Sequence, residues 1–188
     1  MTGTPRVRVL FDEAAIARRN EDLARAIAEA EPKDLLVVAV LKGSFMFAAD
    51  LIRALHRAGL SPQVEFIHLS SYRAGTRSTG KVEILRDVES NVRDRDVLLV
   101  DDILESGRTV VFAKDLLMAR GARRVLTAVL LEKPGKRAVA IAADFVGFTC
   151  PDVFVVGYGM DVAHSYRQLP FVGVVDHHDP EPDLFGGT

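Results

Sequence analysis

The residues best placed to do chemistry lie in one stretch, Val97-Leu98-Leu99-Val100-Asp101-Asp102-Ile103-Leu104-Glu105-Ser106-Gly107-Arg108-Thr109-Val110. An apolar run leads into two adjacent carboxylates. A Glu-Ser-Gly-Arg-Thr turn follows and opens a helix. The start of a helix carries unpaired N–H groups and the positive end of the helix dipole, so it attracts anions. Gly107 lets the backbone approach a ligand, and the hydroxyls of Ser106 and Thr109 add donors. In physical terms this is a phosphate cradle. Each charge-assisted hydrogen bond in it contributes about 1.5–3 kcal/mol. Asp101 and Asp102 would repel a phosphate; they suit hydroxyl groups or a hydrated magnesium ion. Phosphate at one end and a diol or metal-bound group at the other describes a ribose 5-phosphate. The lysine-bearing G-x-x-x-x-G-K-[ST] loop and G-x-G-x-x-G are both absent, so this is not the common nucleotide cradle. A bare Ser-Gly-Arg-Thr turn would read equally well as a helix cap with solvated acids. The apolar strand and the acid pair attached to it favour the ligand site.

Such a turn needs a sheet to hold it, and the hydrophobic pattern supplies one. Asp12 reads as the N-cap of a helix with Ile16, Leu23 and Ile27 on one face, ending before Pro32. Leu35–Leu41 is a continuous apolar run of the kind buried on both faces of a parallel sheet. Lys42-Gly43-Ser44 breaks it. Phe45, Ala48, Ala49, Ile52 and Leu55 then recur at helical spacing, with Gly59 as the stop. Val64, Phe66 and His68 alternate with Gln63, Glu65 and Ile67, the period of a half-buried strand. Tyr72 to Gly80 is polar and glycine-bearing and reads as a mobile loop before alternation resumes at Val82 and Ile84. Val97–Val100 is a buried strand, Asp101 to Thr109 a turn, and Val110 to Arg120 a helix stopped by Gly121. Val125–Leu131 is a further strand, Glu132 to Ala143 a connector, and Val153–Val156 and Phe171–Val175 later strands. The tail from Asp179 reads as loose. Strands alternating with helices imply a mostly parallel sheet flanked by helices. In such sheets ligands bind beyond the carboxyl ends of the strands, which is where the acid pair falls.

Composition narrows the class. The chain has 188 residues with no repeat and no dividing linker, so a single domain is expected. Apolar residues at 48% and charged residues at 27% exclude a disordered chain. A net charge of −2 advertises neither nucleic acid nor an acidic membrane. The single cysteine, Cys150, excludes an internal disulfide and reads as a small buried hydrophobe. The longest apolar run is too short to span a bilayer, and Met1 to Asp12 holds no signal pattern, so a cytoplasmic protein is expected. Asp176-His177-His178-Asp179 has no helical spacing and no partner motif, which disfavours a metal cluster. His68 reads as packing. Arg6, Arg8, Arg18 and Arg19 read as surface or subunit contacts.

The acid-pair turn resembles the phosphoribosyl-diphosphate signature of type I phosphoribosyltransferases, in the hypoxanthine-guanine branch. Leu41-Lys42-Gly43 resembles that family's pyrophosphate loop. Ser70-Ser71-Tyr72 through Ser78-Thr79-Gly80 resembles its flexible lid. Lys133, Asp144 to Phe148 and Pro151 to Asp161 match its purine-binding segment in order and spacing. The resemblance covers nearly the whole chain. It implies a Rossmann-like α/β fold with a core over about residues 12–160, a small hood from the N- and C-terminal segments, and a lid carrying Ser71 and Tyr72. It implies purine salvage: phosphoribosyl diphosphate and a purine base give IMP or GMP and pyrophosphate, with Mg2+.

By the same resemblance Asp101 and Asp102 hold the ribose hydroxyls, directly or through magnesium, and Ser106, Gly107, Arg108 and Thr109 bind the 5-phosphate. Lys42, Gly43 and Arg167 contact pyrophosphate, with a cis peptide between Leu41 and Lys42. Lys133 donates to the purine 6-oxo group, Phe154 stacks on the base, Val155 binds its Watson–Crick edge, and Asp161 holds a second magnesium. Glu105 stands where the family has Asp. It is the general base toward N7, one methylene longer, with altered reach. A homodimer or homotetramer is the family habit. Two alternatives remain open: a regulatory nucleic-acid-binding protein that senses the diphosphate sugar, and a transferase for xanthine. The first needs a basic face or an added domain, and the acidic charge balance disfavours it. The second depends on the backbone near Asp161.

Overall fold

Leu36, Val37, Val38 and Ala39 are completely buried, because the sheet they enter is covered on both faces. The structure, a computed structural model, describes residues 7–74 and 77–175; side chains between residues 71 and 81 lie outside that description. The elements are β1 (Val7–Phe11), α1 (Glu13–Glu29), β2 (Leu36–Leu41), α2 (Phe45–Arg57), β3 (Gln63–Ala74), β4 (Arg77–Arg86), β5 (Asp96–Leu104), α3 (Arg108–Ala119), β6 (Arg124–Glu132), β7 (Phe145–Thr149), β8 (Val155–Val156) and β9 (Val172–Val175). A 3-10 turn spans Pro134–Lys136. The main sheet has the order β4-β3-β2-β5-β6-β7. Every pair is parallel except β3 with β4. A second sheet, β1-β9-β8, is antiparallel and joins the two ends of the described chain.

The period-two pattern sorts the core into two layers. Val37, Ala39, Leu98 and Val100 face one layer with Ile16, Leu23 and Ile27 of α1 and Phe47, Leu51 and Leu55 of α2. Leu36, Val38, Val40, Val97 and Leu99 face the other with Val110, Ala113 and Leu117 of α3. The Asp12 carboxylate caps α1, accepting from Ala15 N at 2.7 Å. Gly59 and Gly121 end α2 and α3 with φ of 88° and 91°, as a left-handed stop requires.

Several expectations need correction. β5 runs to Leu104, paired with β6 as far as Glu132, so Asp101 and Asp102 are strand residues and the turn shrinks to residues 105–107. The polar stretch read as a loop is largely a ribbon, with Arg73 opposite Ser78 and Ala74 opposite Arg77. Among the described side chains of β3 the buried ones are Ile67 and Leu69, while Val64 and Phe66 stay exposed. β3 contributes to the α3 layer, whereas α2 covers β2 and β5 on the other face. β1 and β7 went unread. β7 carries Gly147 in its middle, and a Cβ there would meet Leu130 O at 2.4 Å. Strand β8 is only two residues long. Arg19 is no surface contact: its guanidinium donates to Gly147 O and Val146 O, each at 2.7 Å, and ties α1 to β7.

One ion cluster fixes the start of β5. The Asp96 carboxylate has no exposed surface and accepts from Lys33 N at 2.9 Å, Arg123 at 2.5 Å and Arg124 at 2.8 Å. Burial pushes its pKa up, but the Lys33 N–H and the two arginines outweigh that and leave it lowered. Asp96→Asn should therefore cost about 2 kcal/mol at pH 7, less than a fully buried pair because both arginines keep water. A lowered carboxylate pKa stabilises above the unfolded value and loses that contribution as pH falls below about 4. Denaturant unfolding of both proteins at pH 7 and pH 3 should show the gap narrowing in acid.

Candidate active site

Strand order makes the site. The chain leaves β2 toward β3 on one side, and β5 returns on β2's other side. The crevice beyond β2 and β5 is thus a topological switch point, where open α/β sheets bind ligands. The Leu41–Lys42 peptide there is cis. Lys42 is exposed and Gly43 half-buried. A Cβ on Gly43 would lie 1.7 Å from Asp102 Oδ2, so the carboxylate occupies the space a side chain would take. From the segment after β8, Gly159, at φ 99°, approaches so closely that its Cβ would lie 2.2 Å from Gly43 O. Arg167 donates to Gly159 O at 2.6 Å and pairs with Asp161 Oδ1 at 2.7 Å. Residues 42–43, 102, 159, 161 and 167 are therefore brought together.

Asp101 is 6% exposed. Its Oδ1 accepts from Asp102 N at 2.9 Å, and Asp102 Oδ1 accepts from Ile103 N at 2.8 Å. Burial pushes the Asp101 carboxyl well above the usual carboxylate range, and repulsion from Asp102 adds to it. Burial also raises Asp102, partly offset by hydrogen bonds from Asp101 and the backbone and by the charge of Arg167. Two neighbouring acids driven toward protonation make a local deficit of positive charge, and a divalent cation fits it. Among the described residues no group of three or more His, Cys, Asp or Glu could hold a metal. An ion on this pair would take its other ligands from substrate oxygens and water, which is magnesium's habit. Asp161 is separate from the pair: both its oxygens are engaged, one by Arg167 and the other by His164 N at 2.8 Å.

Gly107 (φ 83°) precedes α3 and has no side chain to cap it. Arg108 N donates to Ser106 Oγ at 3.4 Å. The geometry suits a phosphate on the helix start. Beside the cradle stands Glu105, its Oε1 3.5 Å from Lys133 Nζ and 3.7 Å from Lys136 Nζ. Lys133 is buried, and Lys136 also pairs with Asp152 Oδ1 at 2.6 Å. Phe154 is 51% exposed, the open ring face a stacking residue needs, while its neighbour Val155 is buried. Ser71 and Tyr72 lie in β3, but their side chains, like residues 176–179, are outside the described set.

One residue of this site went unread. Arg137 lies in the connector after Lys133 and bonds backbone carbonyls on both sides of the cradle. A Pro-Gly-Lys-Arg run signals only a turn, so spacing offered no cue.

A phosphoribosyl transferase domain model matches residues 8–163. The chain belongs to the phosphoribosyltransferase family. Hypoxanthine phosphoribosyltransferase of Escherichia coli K12 is 41% identical over 172 residues, covering 90% of this chain and 95% of the relative. The bifunctional protein TilS/HprT of Listeria innocua is 43% identical over 169 residues, 89% of this chain, which spans only 26% of that longer relative. A hypoxanthine-guanine phosphoribosyltransferase structure from Bacillus anthracis superposes with a TM-score of 0.84 at 40% identity, covering 92% of this chain and 99% of its own. These relatives bear out the α/β transferase fold and do not favour the nucleic-acid-binding alternative.

The acid pair predicts a trade between stability and binding. A raised carboxyl pKa means that folding costs more once the group is charged, so its destabilisation grows as pH rises through the unfolded value. Asp101→Asn should stabilise the fold by about 1 kcal/mol at neutral pH, with the gain shrinking toward pH 4. Thermal melts across that range, with calorimetry of the diphosphate sugar, should show higher Tm and weaker binding in one protein.

Proposed function

We propose that this phosphoribosyltransferase serves purine salvage, moving the phosphoribosyl group of 5-phosphoribosyl 1-diphosphate onto hypoxanthine and guanine. IMP or GMP and pyrophosphate are the products. The observation that carries the reading is the 3.5 Å approach of Lys133 Nζ to Glu105 Oε1 at the carboxyl ends of neighbouring strands, beside the Asp101–Asp102 pair. A purine places its 6-oxo group and N7 side by side, which is the spacing a donor and a base so close together can serve.

The roles are those the family resemblance implies for these positions. Ser106, Gly107, Arg108 and Thr109 take the 5-phosphate on the start of α3. Asp101 and Asp102 take the ribose hydroxyls. Lys42, Gly43 and Arg167 face the pyrophosphate. Phe154 stacks on the base and Val155 meets its edge. Lys133 donates to the 6-oxo group; opposite an adenine amine the same buried ammonium would lack its acceptor, at a cost of about 1–3 kcal/mol. The bond from the ribose anomeric carbon to pyrophosphate oxygen breaks, the bond to purine N9 forms, and the N7 proton passes to Glu105. Magnesium on the Asp101–Asp102 pair would neutralise the leaving pyrophosphate, and a second ion at Asp161 would have to share that carboxylate with Arg167 and His164 N. Positioning and charge do most of the remaining work. Water must be kept from the cationic carbon, a task the β3–β4 ribbon with Ser71 and Tyr72 suits as lid. The same reading places the protein in the cytoplasm as a homodimer or homotetramer, one domain whose small β1-β9-β8 sheet is the hood. Among the described residues no helix is long and apolar enough to cross a membrane.

The test offers hypoxanthine, guanine, xanthine and adenine separately with the diphosphate sugar and magnesium, and reads pyrophosphate. Turnover on hypoxanthine or guanine but not adenine is expected. Glu105→Gln should lower kcat by about 100-fold, whereas Glu105→Asp should retain most of it. An unchanged rate in Glu105→Gln removes Glu105 from the mechanism.

A further inference from the structure

The connector between β6 and β7 carries a side chain that touches both halves of the proposed chemistry. Arg137 Nη1 donates to Leu104 O at 2.6 Å and Glu105 O at 2.7 Å, and reaches Lys133 O at 3.2 Å. Its Nη2 donates to Glu132 Oε1 at 2.6 Å, and its Nε to Ile141 O at 3.3 Å. The side chain is only 18% exposed, so these bonds form largely out of water. One planar guanidinium thus joins the last residue of β5, the residue bearing the general base, the last residue of β6 and the residue bearing the base-recognising cation. Lysine cannot copy all of this: one ammonium could meet the carbonyls that Nη1 meets, but it has no separate donors to fasten it to Glu132 and Ile141.

Backbone bonds place the connector but do not replace the clamp. Lys133 N donates to Leu104 O at 3.0 Å, and Ala138 N and Val139 N donate to Ser106 O at 2.9 and 3.3 Å. A Cβ on Gly107 would strike Ile141 at 2.6 Å and Val139 at 3.0 Å, so the connector is seated against the phosphate turn. These contacts fix the height of the connector over the cradle. Among the described residues only Arg137 holds the carbonyl of Glu105 and that of Lys133 on one group.

We propose that Arg137 is a positioning residue that sets the separation between the Glu105 carboxylate and the Lys133 ammonium, and so aligns N7 with the base that deprotonates it. The proposal rests on the roles given above to Glu105 and Lys133. It assigns the connector a catalytic consequence without any contact to substrate. The larger effect falls on the purine end of the site, because the phosphate turn meets the guanidinium only through Glu105 O and Ile141 and keeps its own backbone bonds from Ala138 and Val139.

The test compares wild type with Arg137→Lys, which keeps the charge, and Glu132→Gln, which loosens the Nη2 anchor while leaving Arg137 in place. In Arg137→Lys, kcat with hypoxanthine should fall by about 10-fold or more and KM for hypoxanthine should rise, with KM for the diphosphate sugar within about two-fold. Glu132→Gln should shift the same parameters in the same direction by less, and it carries the test if Arg137→Lys fails to fold. A double-mutant cycle separates positioning from support: in a Glu105→Gln background, Arg137→Lys should cost about two-fold or less in kcat, because the group it aligns is already gone. A fully multiplicative loss in that background, or a loss of Tm with kcat and both KM values unchanged, would overturn the proposal. A wild type that turns over no purine would instead overturn the functional reading itself.

Discussion

The site depends on one steric fact: there is no room for a side chain at Gly43. β2 and β5 are parallel neighbours, in register from Leu36 opposite Val97 to Ala39 opposite Val100. Past that register β2 turns away through the 42–44 loop while β5 continues for four more residues, held by β6. The crevice opens where the two part. Asp102 lies on the continuing strand and fills the volume that a Cβ at Gly43 would take. Gly159 closes on Gly43 from another segment and brings Arg167 and Asp161 with it. The loop, the acid pair and the arginine are therefore one packed object. Their spacing is set by backbone-to-side-chain contact, which is stiffer than any surface ion pair.

The electrostatics of the two ends of β5 oppose each other. At its start, two arginines and a backbone N–H converge on Oδ2 of the buried Asp96, and its charge is favoured although Oδ1 has no partner. Five residues on, Asp101 is as buried but faces another acid, and its charge is disfavoured. The sequence difference is slight, since both are aspartates on one strand; the difference lies in what surrounds them. A carboxylate kept short of cations is poised for a cation or for hydroxyl donors that arrive with substrate. The Asp96 cluster anchors the strand, which lets the far end hold unfavourable charge without losing the fold.

Much of this was legible from residue order. The alternation of apolar runs and helical periods located the parallel strands, and the strand entering Asp101-Asp102 pointed to the crevice beyond β2 and β5. Local rules worked where the cause was local: the Asp12 cap, the Gly59 and Gly121 stops. They failed where a distant partner decides. β5 extends through two acids because β6 supplies its pairing partners. β7 forms around Gly147 because only glycine fits against the Leu130 carbonyl, although glycine in a strand reads as a break. Ile67 and Leu69 rather than Val64 and Phe66 are buried because helices cover the faces of β3 unequally. Arg137 was invisible for the same reason, since its partners lie on two other strands.

The exchange of Asp for Glu at position 105 is best understood through what holds the longer side chain. A glutamate has an additional rotatable bond, and fixing it costs entropy that an aspartate does not pay. Here Lys133 and Lys136 both face its Oε1, and Lys136 is itself tied to Asp152. The carboxylate is thus drawn toward the two lysines of the β6–β7 connector. Because Glu105 is 43% exposed, each ion pair is screened and weak alone. Backbone restraint at Leu104 and Glu105 must then supply the remaining precision. An extra methylene widens the range of positions the carboxylate can sample; a fixed carbonyl at its root narrows it again. Reach and rigidity are thereby divided between a longer side chain and a more firmly held main chain.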